Sequence, residues 1–212
     1  MKNRPLSNTA AAAAARILWA AVPLAIGCNS LAAGGAEPAP SQLPPGFSTS
    51  RSGSPHDFDY LLGAWTTRQK RLKERAVGSH DWIEAPANQH CALPYLAGRA
   101  IVEQSQFPTK EPAGLFLYTF SPAKQQWAIY WINAKTGQLD PPSVGGFDGT
   151  HGEFYGSDED NGRPIRVRIT WTSLDHDHAR WEQAFSYDDR TWETNWISDF
   201  TRADPAAICP KA

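Results

Sequence analysis

From residue 64 onward, apolar and polar residues alternate with a period of two. In one run Ile165, Val167, Ile169 and Trp171 alternate with Arg166, Arg168 and Thr170. The same pattern predicts strands over 65–71, 81–83, 100–106, 114–120, 126–133, 154–156, 165–172, 179–186 and 191–201. Lys135-Thr136-Gly137, Asp148-Gly149 and Asn161-Gly162 mark turns between them, because Gly and Asn accept a positive φ at low cost. Ahead of the first strand, Phe58, Leu61 and Leu62 fall at i, i+3 and i+4. That spacing is one face of a short helical turn, which Gly63 ends. No later segment keeps a helical period for three turns. Many short strands without crossover helices predict an all-β antiparallel sandwich or barrel.

The alternation also predicts which side chains face inward. A two-residue turn at Asp188-Asp189 would set Phe185 opposite Trp192, Gln183 opposite Thr194 and Trp181 opposite Trp196. One face then carries Trp181, Phe185, Trp192, Trp196 and Phe200. The other carries Arg180, Glu182, Glu193, Asn195 and Asp199. Alternation buries one face, so the aromatic set is the interior and the charged set, with Arg166 and Arg168, an outer ladder. Trp65 fixes the parity of the first strand, turning Thr67, Gln69 and Arg71 inward. Trp127, Ile129 and Trp131 share a face in the same way. Arg71 and Gln183 are odd choices for a dry core. They predict a cavity lined by Trp131, Trp171, Trp181, Phe185 and Trp196, in which Arg71 and Gln183 orient a small apolar or aromatic ligand. The alternative is a filled core in which the polar groups bond one another.

The amino-terminal region reads differently. Lys2, Arg4 and Arg16 precede an uncharged apolar run over 17–27, too short to span about 30 Å of hydrocarbon. This is the layout of a secretory signal. Two endings compete. Ser30-Leu31-Ala32 suits cleavage after Ala32. Leu24-Ala25-Ile26-Gly27-Cys28 resembles a bacterial lipoprotein signal with Cys28 as the lipidated residue, although Ala25 stands where Leu is usual. The expected organisation is a signal over 1–32, a Pro- and Gly-rich linker over 33–55, the β-domain over 56–203 and a tail over 204–212. The expected location is periplasmic or secreted, or the membrane surface if Cys28 is lipidated.

Composition narrows the partners. The 212 residues hold 20 Lys and Arg against 22 Asp and Glu, and the three cations of the signal leave 17 against 22, a formal charge of −5. A mildly acidic domain does not attract nucleic acid, so none is expected as a partner. Of three Cys, export leaves Cys91 and Cys209, which an oxidising compartment would join; the alternative is two unpaired thiols.

Leu62-Gly63-Ala64-Trp65 places a G-x-W where a helical turn enters the first strand. This resembles the lipocalin-like (calycin) barrels, whose Trp packs at the closed end against an Arg late in the last strand. Arg202, in Asp199-Phe200-Thr201-Arg202, has the parity to match. Further segments resemble an uncharacterised bacterial lipocalin-like family: 56–65, 71–75, 162–168, 180–186 and 191–196. The resemblance implies an up-and-down β-barrel with Gly63, Trp65 and Arg202 as structural residues, and no activity.

Catalytic signatures such as G-x-S-x-G, H-E-x-x-H, C-x-x-C and phosphate-binding Gly loops are absent. Asp175-His176-Asp177-His178 holds metal-ligating types, but i, i+2 donors in one loop are poorly pre-organised. The acidic run 158–162 lacks the spacing of a Ca²⁺ loop. No metal and no cofactor is expected. The leading expectation is therefore an exported binding barrel. The rivals are a cofactor-free isomerase, cyclase or hydrolase using a carboxylate such as Glu182, and a structural envelope lipoprotein.

Overall fold

The computed structural model describes residues 53–210. The expected signal, Cys28 and most of the linker lie outside the described residues. A 3₁₀ turn (Asp59–Leu61) leads into eleven strands: β1 (Gly63–Leu72), β2 (Trp82–Ala85), β3 (Gln89–Tyr95), β4 (Ala100–Gln106), β5 (Pro112–Ser121), β6 (Gln126–Asn133), β7 (Ser143–Asp148), β8 (His151–Asp160), β9 (Arg163–Ser173), β10 (His178–Ser186) and β11 (Glu193–Ala203). From β3 to β11 each strand pairs antiparallel with the next. β11 then returns to β1, from Ala64↔Ala203 to Arg71↔Trp196, and closes a ten-strand barrel. β3 and the extra strand β2 share the other edge of β1, over Gly63–Thr66 and Gln69–Leu72. Closure leaves no long unpaired edge. The end carrying the 3₁₀ turn is the lower end, and the end carrying the β1–β2 connection is the upper.

Two strands escaped the period-two pattern. In β3, His90 and Ala92 are buried, and so is Cys91 between them, so no alternation shows. β7 is short and contains Gly145-Gly146, which no strand pattern favours. The expected Asn161-Gly162 turn joins β8 and β9, with φ of +53° and +78°.

The last hairpin corrects the expected register. Trp181 faces Ser198 and Gln183 faces Trp196, a slip of two residues that preserves the faces. A bulge then follows, since Ala184 pairs with Thr194 and Phe185 with Glu193. The extra residue is Asn195. Past a bulge the parity inverts. Glu193 therefore shares the inner row of Phe185, and Thr194 leaves it. Trp192 lies on the outer wall, its ring 5.6 Å from Tyr155 and 5.1 Å from the Arg168 guanidinium. Elsewhere the outer ladder holds Arg166 with Asp189 and Arg180 with Asp199.

The lower half is solid. Phe58, from the 3₁₀ turn, is fully buried among Tyr118, Trp127, Phe147 and Phe154, with ring centres 4.8–5.7 Å away. Trp65 donates its indole N–H to the Leu61 carbonyl at 2.7 Å. The Arg202 guanidinium lies 3.7 Å from the Trp65 ring centre and donates to the carbonyls of Leu62 and Tyr60. Gly63 takes φ of +104°, the bend that brings the turn under the barrel. Outside, a helical turn α1 (Pro205–Ile208) buries Ile208 against Ala64 and Cys91. The Cys91–Cys209 disulfide fastens it, with Cα atoms 5.2 Å apart and a sequence separation of 118. By the chain-entropy argument such a loop contributes about 4–5 kcal/mol.

Candidate functional site

The upper half is different in kind. Phe116, Trp131, Trp181, Gln183 and Trp196 stand on inner rows, yet each is only half-buried. Inside a closed barrel, an inner side chain is exposed only where the interior is open to solvent. Trp131 packs on Phe116 with ring centres 4.4 Å apart and planes tilted by 45°, and the absence of a side chain at Gly114 makes room for it: a Cβ there would fall 2.3 Å from the indole. Trp181 and Trp196 meet edge to face at 6.0 Å. Trp171 and Phe185 are fully packed instead. Trp171 belongs to the lower plug, and Phe185 lies beneath the β1–β2 connection. Arg71 is exposed at the upper end, across from Trp196. Glu182 sits on the outer wall opposite Ile197.

The wall formed by β1, β3 and β4 is polar. The Trp196 indole N–H donates to Gln69 Oε1 at 3.0 Å, and Gln69 Nε2 donates to Thr67 Oγ1 at 3.1 Å. Thr67 donates to the Asn88 carbonyl, and Asn88 Nδ2 donates to Ser105 Oγ at 2.9 Å. Next to Ser105 in register is His90. Its Nδ1 lies 2.6 Å from Glu103 Oε1, and Glu103 Oε2 accepts the Tyr118 hydroxyl at 2.5 Å. Glu103 is 1% exposed, so this carboxylate is wholly reliant on those two partners. Burial, reinforced by the Glu103 charge, holds the Tyr118 and Tyr60 phenols well above the usual tyrosine range.

This wall has spare capacity. His90 Nε2 and Asn88 Oδ1 are buried with no partner among the described residues, and so are both amide atoms of Asn195 on β11. A buried polar group left unpaired costs about 1–3 kcal/mol, so each is a place where a ligand or water can bind favourably. Opposite stand apolar rings and aliphatics from β5, β6 and β9. The interior is thus polar on one side and aromatic on the other.

The β1–β2 connection crosses the upper end as a strap. Arg75 Nη2 donates to Asp160 Oδ1 at 2.9 Å and its guanidinium covers the Phe185 ring. The Glu193 carboxylate accepts from the amides of Ala76 and Gly78. Ala76 holds φ of +57° while packing on the core. Between the strap and the β10–β11 hairpin runs a cleft of about 540 Å³, lined by Gly78, His80, Trp82, Phe185, Trp192 and Glu193 among others.

His90, Glu103, Asn88, Asn195 and the strap were not recognised in the sequence. Glu103 shares parity with Ile101, and Tyr118 with Phe116, so counting by two from the apolar neighbours would have found both. Asn195 carried no signal, because the bulge that buries it is invisible to alternation. The 175–178 loop satisfies itself: Asp175 accepts from the amides of Asp177 and His178, which lowers its pKa, and it also accepts from the His178 ring.

No known protein-family profile matches the sequence. No curated protein matches it either. Among solved structures, the chain is similar to the crystal structure of Rv2717c from M. tuberculosis. The identity is 10%, the match covers 69% of this chain and 97% of that one, and the TM-score is 0.42. A likeness of that strength carries no argument about function, so the function rests on the barrel's own chemistry.

Proposed function

We propose that this protein is a small-molecule-binding barrel of lipocalin-like type, exported from the cell. Its ligand occupies the upper interior and enters at the strap. One observation carries the reading: inner-row side chains are half-exposed above a plug whose own rings are fully buried. The ligand has a flat apolar or aromatic body, for Trp131, Trp181 and Trp196, and one hydrogen-bonding edge, for Gln183 and the β1–β3–β4 wall. A long-range disulfide favours an oxidising compartment, and the sequence of 1–32 favours export. No helix among the described residues is long and apolar enough to cross a membrane.

The test uses anilinonaphthalene sulfonate as an apolar probe. Binding should quench tryptophan emission by energy transfer. Replacing Trp181 and Trp196 by Phe should remove most of that transfer, and Trp192→Phe, in the cleft beside the strap, should remove clearly less. Equal losses would place the probe outside the barrel and defeat the reading.

A second reading has its own observation. Glu103 holds His90 at Nδ1 and leaves Nε2 without a partner, which is how a carboxylate orients an imidazole as a general base. A hydrolase or isomerase of this kind would lose activity in His90→Gln and keep it in Glu182→Gln.

A further inference from the structure

We infer that the lower rim docks on a lipid bilayer surface through the tip of the β3–β4 hairpin. The inference is independent of what the upper half binds. Leu93, Pro94, Tyr95, Leu96 and Ala97 follow one another along this tip, and all five are exposed, Leu96 at 71%. Exposed apolar residues elsewhere, such as Val77, Leu139 and Leu174, come singly from separate loops, as on any protein surface. The tip is also shaped. Leu96 and Ala97 hold φ of +51° and +54° before Gly98 at +83°. A left-handed backbone at a branched, bulky side chain costs about 1–2 kcal/mol per residue, and Asn or Gly would avoid it. Hydrogen bonds from the Gly98 amide to Tyr95, and from the Arg99 amide and side chain to the Leu96 carbonyl, fix this shape. The strained turn therefore holds an apolar side chain out into water.

The occupant follows from the neighbours. The chain enters the barrel beside this tip: the Gly53 amide bonds the Gln125 carbonyl, and the Pro55 carbonyl lies 3.7 Å from where a Gly98 Cβ would stand. Residues 1–52, with the apolar run 17–27 and Cys28, thus join the molecule at its lower end. Arg99 and the exposed Lys124 of the adjacent β5–β6 turn flank the apolar residues. Apolar tip, tyrosine and flanking cations are the chemistry of the headgroup boundary.

The experiment uses the full chain carrying Cys28→Ala, with vesicles of phosphatidylethanolamine containing a minor fraction of phosphatidylglycerol. An environment-sensitive dye is attached in Leu96→Cys or, at the opposite rim, in Leu139→Cys; the disulfide cysteines do not react. Vesicles should shift the emission at 96 to the blue and leave that at 139 unchanged. In a flotation assay, Tyr95→Ser with Leu96→Asp should lower vesicle binding about tenfold, since burying one large apolar side chain accounts for that factor. Asp adopts the left-handed backbone readily, so the fold is kept. Both chains retain the run 17–27, so its own affinity cancels. Equal shifts at the two positions, or unchanged flotation, would overturn the proposal. Tip-dependent self-association without vesicles would overturn it in favour of a second copy of the chain.

Discussion

The two halves of this barrel are built from the same residue types and do opposite things with them. Below, Phe58 plugs the bore, and Tyr118, Trp127, Phe147, Phe154 and Trp171 around it are all buried. Above, Phe116, Trp131, Trp181 and Trp196 stand on inner rows and stay half-exposed. The difference lies in what comes from outside the sheet. The lower end receives a compact apolar turn, pinned by Arg202 at the carbonyls of Leu62 and Tyr60. The upper end receives only a polar strap held by two carboxylates. A ten-strand barrel has room for a ligand where side chains do not fill it, and only the lower end receives an apolar plug.

The largest effect should therefore fall below. Phe58→Ala removes a ring with six aromatic neighbours and is expected to cost about 3–5 kcal/mol in denaturant unfolding. Trp181→Ala, a larger truncation, is expected to cost clearly less, because its site is already open. Equal costs would mean that the upper half is as tightly packed as the lower, and the distinction between them would fail.

Alkaline pH probes the border between the halves. The folded protein holds the Tyr60 and Tyr118 protons above the pKa of an unfolded tyrosine. The unfolded state therefore ionises first. The stability these phenols contribute is fully present below about pH 10 and declines as the pH rises beyond it. Stability against pH should fall above that point, with phenolate absorbance from these two residues appearing only on unfolding. Tyr118→Phe should flatten the fall while costing about 1–3 kcal/mol at neutral pH, since Glu103 loses a donor. A phenolate signal from both tyrosines in the folded state would show that the Glu103 region is open to water.

Much of the lower half was legible and little of the upper. Trp65, Arg202 and the leading turn sit on strict alternation and helical spacing, which are local signals. Cys91 and Cys209 are the two cysteines outside the expected signal, so their pairing could be counted from the sequence. The upper half depends on features that alternation does not encode: a bulge at Asn195 and a strap whose latch joins Gly78 to Glu193. The bulge also explains why Trp192 and Thr194, expected inside, lie outside. One inserted residue inverts every side chain beyond it.

The strap is the next smaller test. Glu193→Gln replaces two acceptor oxygens by one oxygen and one amide group, which confronts an N–H of the strap. The expected cost is about 1–2 kcal/mol of stability. The expected functional signature is faster probe entry and exit in stopped-flow fluorescence, with affinity changed little. Unchanged rates would mean that the strap does not cover the route in.

The smallest structural effect and the most selective functional one should come from Gln183. Its amide stands half-buried on an inner row, between Ile169 and Trp196 in register. Leucine has nearly the same volume and no polar atoms to desolvate, so Gln183→Leu should leave stability within about 0.5 kcal/mol of the parent chain. A ligand that bonds this amide should lose about 1–3 kcal/mol of affinity in isothermal titration, whereas a purely apolar probe should bind as before or slightly better. Trp171→Phe, placed in the plug, should show the reverse, with a cost in stability and none in ligand selectivity. If both kinds of ligand respond alike to Gln183→Leu, the amide does not orient them, and the polar β1–β3–β4 wall is left as the only source of specificity in the bore.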